Sequence, residues 1–192
     1  MPDHHDPGST ALSIAAELRR LDPGALAALR RMGDDGAVAA YWRLAASRPP
    51  LSDRPAQWAP IVRALAILTP KGAPEERGDL HDPKRPLGTA LCDGGDPDWP
   101  GRLSPGQKPK AAFSERRLAQ FMAARGRQRN ILLTRAIRAL AASKPASAGL
   151  RVPDIAWAFL QSDPSEMLAK SYYHRLDRAE RAAEPKETPA DA

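Results

Sequence analysis

The sequence contains very little cysteine, few aromatic residues and no long hydrophobic run. Cys92 is the single cysteine among 192 residues, which excludes an intrachain disulfide and a zinc site built from several cysteines. Apolar runs such as 155–160 are far shorter than the roughly 20 residues needed to span a membrane. The first residues lack the basic and apolar segments of a secretory signal, so the sequence predicts a cytoplasmic protein without membrane association.

The motifs of common enzymes are also missing. The chain has no HExxH, GxSxG, Walker A or GxGxxG pattern. His4, His5 and Asp6 are adjacent, but no evident supporting residues accompany them as they would at a functional metal site. The acidic pairs 34–35 and 75–76 are typical of solvated turns. We therefore expect a protein that is not an enzyme and uses neither metal nor cofactor.

Alanine and leucine supply most of the apolar content, which favours helices over strands. Apolar residues recur at helical spacing between breaks rich in glycine and proline, and no segment alternates with period two. The pattern predicts an all-α, two-lobed helical bundle of about eight to nine helices. The expected organisation is a disordered tail over 1–9, an N-terminal helical lobe over 10–93, a linker over 94–110, a basic C-terminal helical lobe over 111–182 and a disordered tail over 183–192.

Local signals give more detailed expectations for individual helices. Ser9 or Thr10 is expected to cap the first helix, and Asp22-Pro23 predicts the start of the second. Pro60 is expected to kink or restart its helix. Helical phase places the following side chains in the core: Trp42, Trp58, Ile131 and Trp157.

Positive charge is concentrated in the second half of the chain. Residues 111–182 carry 13 Lys and Arg against 6 Asp and Glu, whereas residues 1–70 carry 8 against 7. Glu115 is the only acidic residue between 111 and 152, so salt bridges within helices cannot neutralise most of these arginines. A localised basic surface of this kind is typical of proteins that bind polyanions.

Guanidinium groups suit phosphate oxygens, and contacts to phosphate hold a nucleic-acid backbone without reading its sequence. Arg127, Arg135 and Arg138 recur close to one helix face. Arg30 and Arg31 are expected to pair with the acidic residues 34–35 instead. The predicted nucleic-acid-binding residues are Arg54, Arg63, Arg116, Arg117, Arg125, Arg127, Arg135, Arg138, Lys144 and Lys170.

Four stretches carry a family resemblance. They read LDPGALAALRRM (Leu21–Met32), AYWRLAA (Ala40–Ala46), PLGTAL (Pro86–Leu91) and SERRLAQFMAARG (Ser114–Gly126). In this order they resemble the CasB family, the small subunit of the type I-E CRISPR interference complex, Cascade.

The resemblance implies a two-lobed helical subunit that pairs with a second copy of itself beside the other Cascade subunits. It implies contacts with crRNA and with target DNA, including the displaced strand. Guide pairing would supply sequence specificity, and the protein would stabilise the R-loop without cutting nucleic acid. Only Arg116 and Arg117 match a family motif directly.

Three other interpretations remain open at this point. One is an enzyme, which requires a metal-dependent activity that is lost when His4 or His81 is mutated. If the chain is a helical scaffold that binds other proteins, reversing the charge of Arg127, Arg135 and Arg138 should not change its affinity for nucleic acid. A helix-turn-helix regulator, with its turn at Gly126, requires tight binding to one duplex sequence by an isolated dimer.

Overall fold

A computed structural model describes residues 6–104 and 107–183. Regular structure within these ranges is helical, which confirms the all-α prediction, and no helix there is both long and apolar enough to cross a membrane. A short 3-10 turn covers Pro74–Glu76. The α-helices are α1 (Pro7–Arg20), α2 (Pro23–Arg31), α3 (Ala39–Ala45), α4 (Pro49–Asp53), α5 (Pro55–Leu68), α6 (Leu87–Asp93), α7 (Glu115–Ala123), α8 (Gly126–Ser143), α9 (Val152–Leu160) and α10 (Ser165–Ala183).

Two Asp-Pro pairs start the first two helices. The Asp22 carboxylate accepts a hydrogen bond from the Ala25 N–H at 2.9 Å, as predicted for an N-cap. The Asp6 carboxylate accepts a hydrogen bond from the Ser9 N–H at 2.8 Å, so Asp6 is the N-cap and α1 begins at Pro7. The prediction that Ser9 or Thr10 caps this helix was wrong. Part of the predicted 1–9 tail is therefore helical. Its first five residues, and residues 184–192 of the predicted C-terminal tail, lie outside the described residues.

Proline-rich segments are more helical than the sequence pattern indicates. Pro49 and Pro50 occupy the first turn of α4, where a missing N–H costs no intrahelical hydrogen bond. α5 is assigned as one helix through Pro60, which is itself buried. The helix therefore does not restart at Pro60, and the alternative of a kink there stays a prediction.

α5 lies at the centre of the fold. Trp58, Ile61, Val62 and Leu65 are buried along it, and the helix packs against α1, α2, α8 and α9. Helices from both halves of the chain thus contribute to one continuous hydrophobic core. Burial of these side chains provides the main driving force for joining the two halves.

Two further helix pairs connect the N-terminal and C-terminal halves: α1 packs on α9, and α6 packs on α10. Gly88 allows the close approach of α6 to α10, because a Cβ there would lie 2.2 Å from the Leu168 carbonyl oxygen. The lobe boundaries at 93 and 111 stay a prediction, and the core is continuous across them.

A strand-like contact ties the loop before α6 to the loop before α9. The Leu150 N–H donates to the Leu80 carbonyl oxygen at 2.8 Å, and the Asp82 N–H donates to the Leu150 carbonyl oxygen at 3.0 Å. These bonds fix the segment that carries Lys84 and Arg85 beside α9 and α10.

Arginine side chains satisfy the carbonyl groups at several helix ends. The buried Arg77 guanidinium donates to the carbonyl oxygens of Leu18, Arg19 and Leu21 at the end of α1. Arg30 does the same for Ala66 and Thr69 at the end of α5. Such contacts neutralise the negative end of the helix dipole and use arginine for structure.

Candidate nucleic-acid interface

The amphipathic helix α7 carries the first predicted pair of binding residues. Leu118 and Phe121 are buried against the core, whereas Arg116 and Arg117 are exposed near the start of the helix. Exposure leaves both guanidinium groups accessible to a partner.

α8 presents an exposed face with three arginines. Arg127, Arg135 and Arg138 are exposed, while Leu133, Ile137 and Leu140 of the same helix are buried. We call these three side chains the α8 arginine face. They extend along about 16 Å of helix, from the rise of 1.5 Å per residue. None of them makes a side-chain hydrogen bond or ion pair within the described residues.

Ile131 belongs to this exposed face as well. It lies one turn after Arg127 and one turn before Arg135, and it is 37% exposed. The prediction that Ile131 points inward was wrong, because the neighbouring positions Leu133, Ala136 and Ile137 supply the buried face.

Arg125 and Arg129, near the start of α8, have structural roles. Arg125 donates to the Met122 carbonyl oxygen at 2.6 Å and to that of Ala124 at 3.0 Å, which caps α7. Arg129 is buried and donates to the carbonyl oxygens of Gln161 and Ser162 after α9. The structure therefore separates Arg125 from the α8 arginine face, although the sequence places them together.

The two predicted residues near α5 differ from each other. Arg54 is exposed where α4 meets α5. Arg63 is only 14% exposed and pairs with Asp34 at 2.7 Å, while it also donates to the Met32 carbonyl oxygen at 3.0 Å. Asp34 is therefore the partner of Arg63, and the expected pairing of Asp34 with Arg30 was wrong.

Lys144 lies at the end of α8 and folds back on the protein. Its Nζ donates to the carbonyl oxygens of Pro145 and Ala148. Burial lowers the pKa of Lys144, and the nearby Arg85 lowers it further. These contacts direct the ammonium group toward the chain rather than toward a nucleic acid.

Lys170 lines a groove between α6 and α10. The groove has a volume of about 710 Å³ and is bordered by the loop before α6 and by the start of α9. We call it the α6–α10 groove. Its positively charged residues are Lys84, Arg85, Arg151, Lys170, Arg175 and Arg178.

Two buried carboxylates organise this groove. Asp93 Oδ1 lies 2.7 Å from Arg85 Nη2, and Asp93 Oδ2 lies 3.0 Å from Arg175 Nε. Asp154 Oδ2 accepts a hydrogen bond from the Leu87 N–H at 3.0 Å. Burial raises the pKa of Asp154, while this hydrogen bond and the nearby Arg151 oppose the rise.

The sequence interpretation missed most of the groove. Acidic residues interleave with the basic residues of α10, which suggested a balanced surface. His174 and Arg178 nevertheless line the groove with Lys170, at one-turn intervals, whereas Asp177 and Glu180 do not. The position of each residue around the helix axis separates the basic residues that line the groove from the acidic residues that do not.

The tryptophans divide between core, surface and loop. Trp58 is buried as predicted and Trp157 is partly buried, but Trp42 is 48% exposed, so its assignment to the core was wrong. Trp99 holds the segment after α6: its indole N–H donates to the Lys110 carbonyl oxygen at 3.2 Å, and the Arg175 guanidinium lies 5.3 Å from its ring centre.

The Cys92 thiol and the His81 imidazole both contact the fold. Cys92 is fully buried, and burial raises the pKa of its thiol to about 12. Nδ1 of His81 accepts a hydrogen bond from the Val152 N–H at 3.3 Å. Among residues 6–104 and 107–183, no three His, Cys, Asp or Glu side chains are grouped so that they could hold a metal ion.

Comparison with known proteins found no matching family model, no matching curated protein and no matching solved structure. The resemblance to the CasB family thus remains a prediction from the four sequence stretches.

Proposed function

We propose that the chain is a non-catalytic subunit that binds the sugar–phosphate backbone of nucleic acids. The observation that carries this proposal is the α8 arginine face. Three exposed guanidinium groups lie on one side of α8 without an acidic partner within the described residues. Arginines that serve the fold, such as Arg77 and Arg129, are buried against carbonyl groups instead.

The geometry favours backbone contacts without sequence preference. Arg127, Arg135 and Arg138 are spread along one helix face, where they can contact phosphates on a passing strand. Arg116 and Arg117 on α7 are also exposed, and they add positive charge to the surface of the C-terminal half of the chain. Affinity from such contacts is strongly dependent on salt because bound counterions are released.

The CasB resemblance supplies a biological setting for this proposal. In that setting the chain is a Cascade subunit that contacts crRNA, target DNA and the displaced strand beside a second copy of itself. Its arginines stabilise the R-loop, and base pairing by the guide supplies specificity. A cytoplasmic location belongs to the same proposal.

A protein-interaction scaffold is the second candidate function. It is favoured by Trp42, a large apolar side chain that is 48% exposed and packs edge-on against Tyr41 at 5.4 Å between ring centres. Exposed tryptophan is common at the centres of protein interfaces. The two candidates are compatible, because a subunit of a nucleoprotein complex has both kinds of partner.

Equilibrium binding to fluorescent single-stranded DNA, duplex DNA and RNA tests the proposed function. Several unrelated sequences of each kind are compared at about 50 to 200 mM salt. We expect affinities that fall steeply with salt and differ little between sequences of one kind. Tight binding to a single duplex sequence supports the helix-turn-helix alternative, and absence of binding at low salt supports the scaffold.

A further inference from the structure

The α6–α10 groove is a second concentration of positive charge, separate from the α8 arginine face. It is lined by residues of α6, α10, the loop before α6 and the start of α9. Its volume of about 710 Å³ lies within the range of small-ligand sites, roughly 300 to 1,000 Å³. The groove is therefore large enough for a ligand of nucleotide size.

Charge in the groove is not balanced. Six Lys and Arg side chains and three carboxylates line it, which leaves a net charge of +3 with His174 neutral. Both oxygens of Asp93 are already occupied by Arg85 and Arg175. Arg151 lies 4.0 Å from Asp154. The other three cations, Lys84, Lys170 and Arg178, are exposed and make no ion pair within the described ranges.

These cations surround the groove from two sides. Lys170 and Arg178 lie two turns apart on one face of α10, about 12 Å along the helix, with His174 between them. Lys84 approaches from the loop that is fixed by the backbone contacts to Leu150. Arg85 also lines the groove, where its Nη2 is held by Asp93.

We propose that the α6–α10 groove binds a terminal phosphate or polyphosphate group, carried either by a free nucleotide or by the end of a nucleic-acid strand. A concave site with a net charge of +3 suits a ligand that concentrates several negative charges in a small volume. An internal phosphodiester carries only one negative charge on its phosphate.

Isothermal titration calorimetry of the full chain with inorganic tripolyphosphate and with ATP tests this site. The groove variant combines Lys84→Ala, Lys170→Ala and Arg178→Ala. Its matched control combines Arg20→Ala, Arg31→Ala and Arg43→Ala, which removes the same charge from exposed positions in the N-terminal half. Thermal unfolding establishes that both variants are folded.

We expect tripolyphosphate to bind the wild type and the control within about twofold of each other. The groove variant should bind at least about tenfold more weakly, because it lacks three cations that make charge-assisted contacts to the phosphates. No binding of tripolyphosphate or ATP to the wild type at low salt overturns the proposal. Equal weakening in both variants also overturns it, because net charge alone then accounts for binding.

A 5′-phosphorylated 12-mer and its 5′-hydroxyl counterpart distinguish the two sources of the ligand. Tighter binding of the phosphorylated strand, lost in the groove variant, identifies a strand end. Binding of ATP without any preference for the phosphorylated strand identifies a free nucleotide.

The same titrations distinguish this proposal from the proposed function. Lys170, which the sequence predicts to bind nucleic acid, lines the groove, and the groove variant keeps the α8 arginine face together with Arg116 and Arg117. Its salt-dependent binding to the 5′-hydroxyl strand should therefore weaken no more than that of the control variant. If the groove variant loses tripolyphosphate binding, the groove site is supported. This holds even if variants of the α8 arginine face leave strand binding unchanged, a result that contradicts only the proposed function.

Discussion

The Asp93 carboxylate joins the end of α6 to α10 through Arg175, whose Nε lies 3.0 Å from Asp93 Oδ2. Arg175 also donates to the Trp99 carbonyl oxygen at 2.6 Å. The second oxygen of Asp93 lies 2.7 Å from Arg85 and 3.0 Å from the Gly95 nitrogen, from which it accepts a hydrogen bond. One buried carboxylate thus fixes α6, the following loop and one side of the α6–α10 groove.

Asp93→Ala should lower the free energy of unfolding by about 3 kcal/mol or more, because it leaves two partly buried guanidinium groups without their carboxylate. Urea denaturation followed by circular dichroism measures the loss. Asp98→Ala is the control, since Asp98 is exposed on the same loop and makes no side-chain bond within the described residues. Equal stability of the two variants contradicts the structural role of Asp93.

Gly88→Ala should destabilise the protein by about 1–3 kcal/mol or more, because the added Cβ meets the Leu168 carbonyl oxygen at 2.2 Å and Ser171 Oγ at 2.3 Å. α6 then has to move away from α10. Gly78→Ala is the matched control, since the nearest atom to its Cβ lies at 4.0 Å. Thermal unfolding compares the two, and an unchanged midpoint for Gly88→Ala is incompatible with this packing.

Asp154→Asn tests the buried carboxylate through pH. Burial raises the pKa of Asp154 in the folded protein, so its contribution to stability is greatest at low pH and is lost as pH rises through the folded-state pKa. The amide retains an oxygen that can accept the hydrogen bond from Leu87. Relative to wild type, the variant should therefore gain stability as the pH rises above the ordinary carboxyl pKa of 3.8. Urea unfolding at each pH measures this difference, and a constant difference argues against the raised pKa.

Local signals in the sequence predicted most of the fold. Apolar residues at helical spacing located the helices, and Asp22-Pro23 marked a helix start through a bond that spans only three residues. The same signal at Asp6-Pro7 was overlooked. Trp42 could not be assigned by its apolar character alone, because its neighbour Tyr41 takes the core position and donates to the Leu51 carbonyl oxygen at 2.9 Å.

The candidate sites were harder to predict, because the role of an arginine depends on distant carbonyl groups. Arg129 and Arg138 belong to one helix and look alike in sequence. Only the fold brings the Gln161 carbonyl oxygen to 2.6 Å from Arg129 and leaves Arg138 exposed. The α6–α10 groove likewise combines Lys84 and Lys170, which are far apart in the chain, through the packing of Gly88 on α10.

The most direct test of nucleic-acid binding is the salt dependence of affinity for single-stranded DNA, measured for wild type and for a variant that combines Arg127→Ala, Arg135→Ala and Arg138→Ala. The matched control combines Arg20→Ala, Arg31→Ala and Arg43→Ala. If the α8 arginine face contacts phosphates, its loss should weaken binding at low salt and reduce the slope of log affinity against log salt by about 2 units, since each phosphate contact contributes about 0.7. The control should retain the wild-type slope. Identical slopes and affinities for all three proteins would contradict a role of the α8 arginine face in nucleic-acid binding.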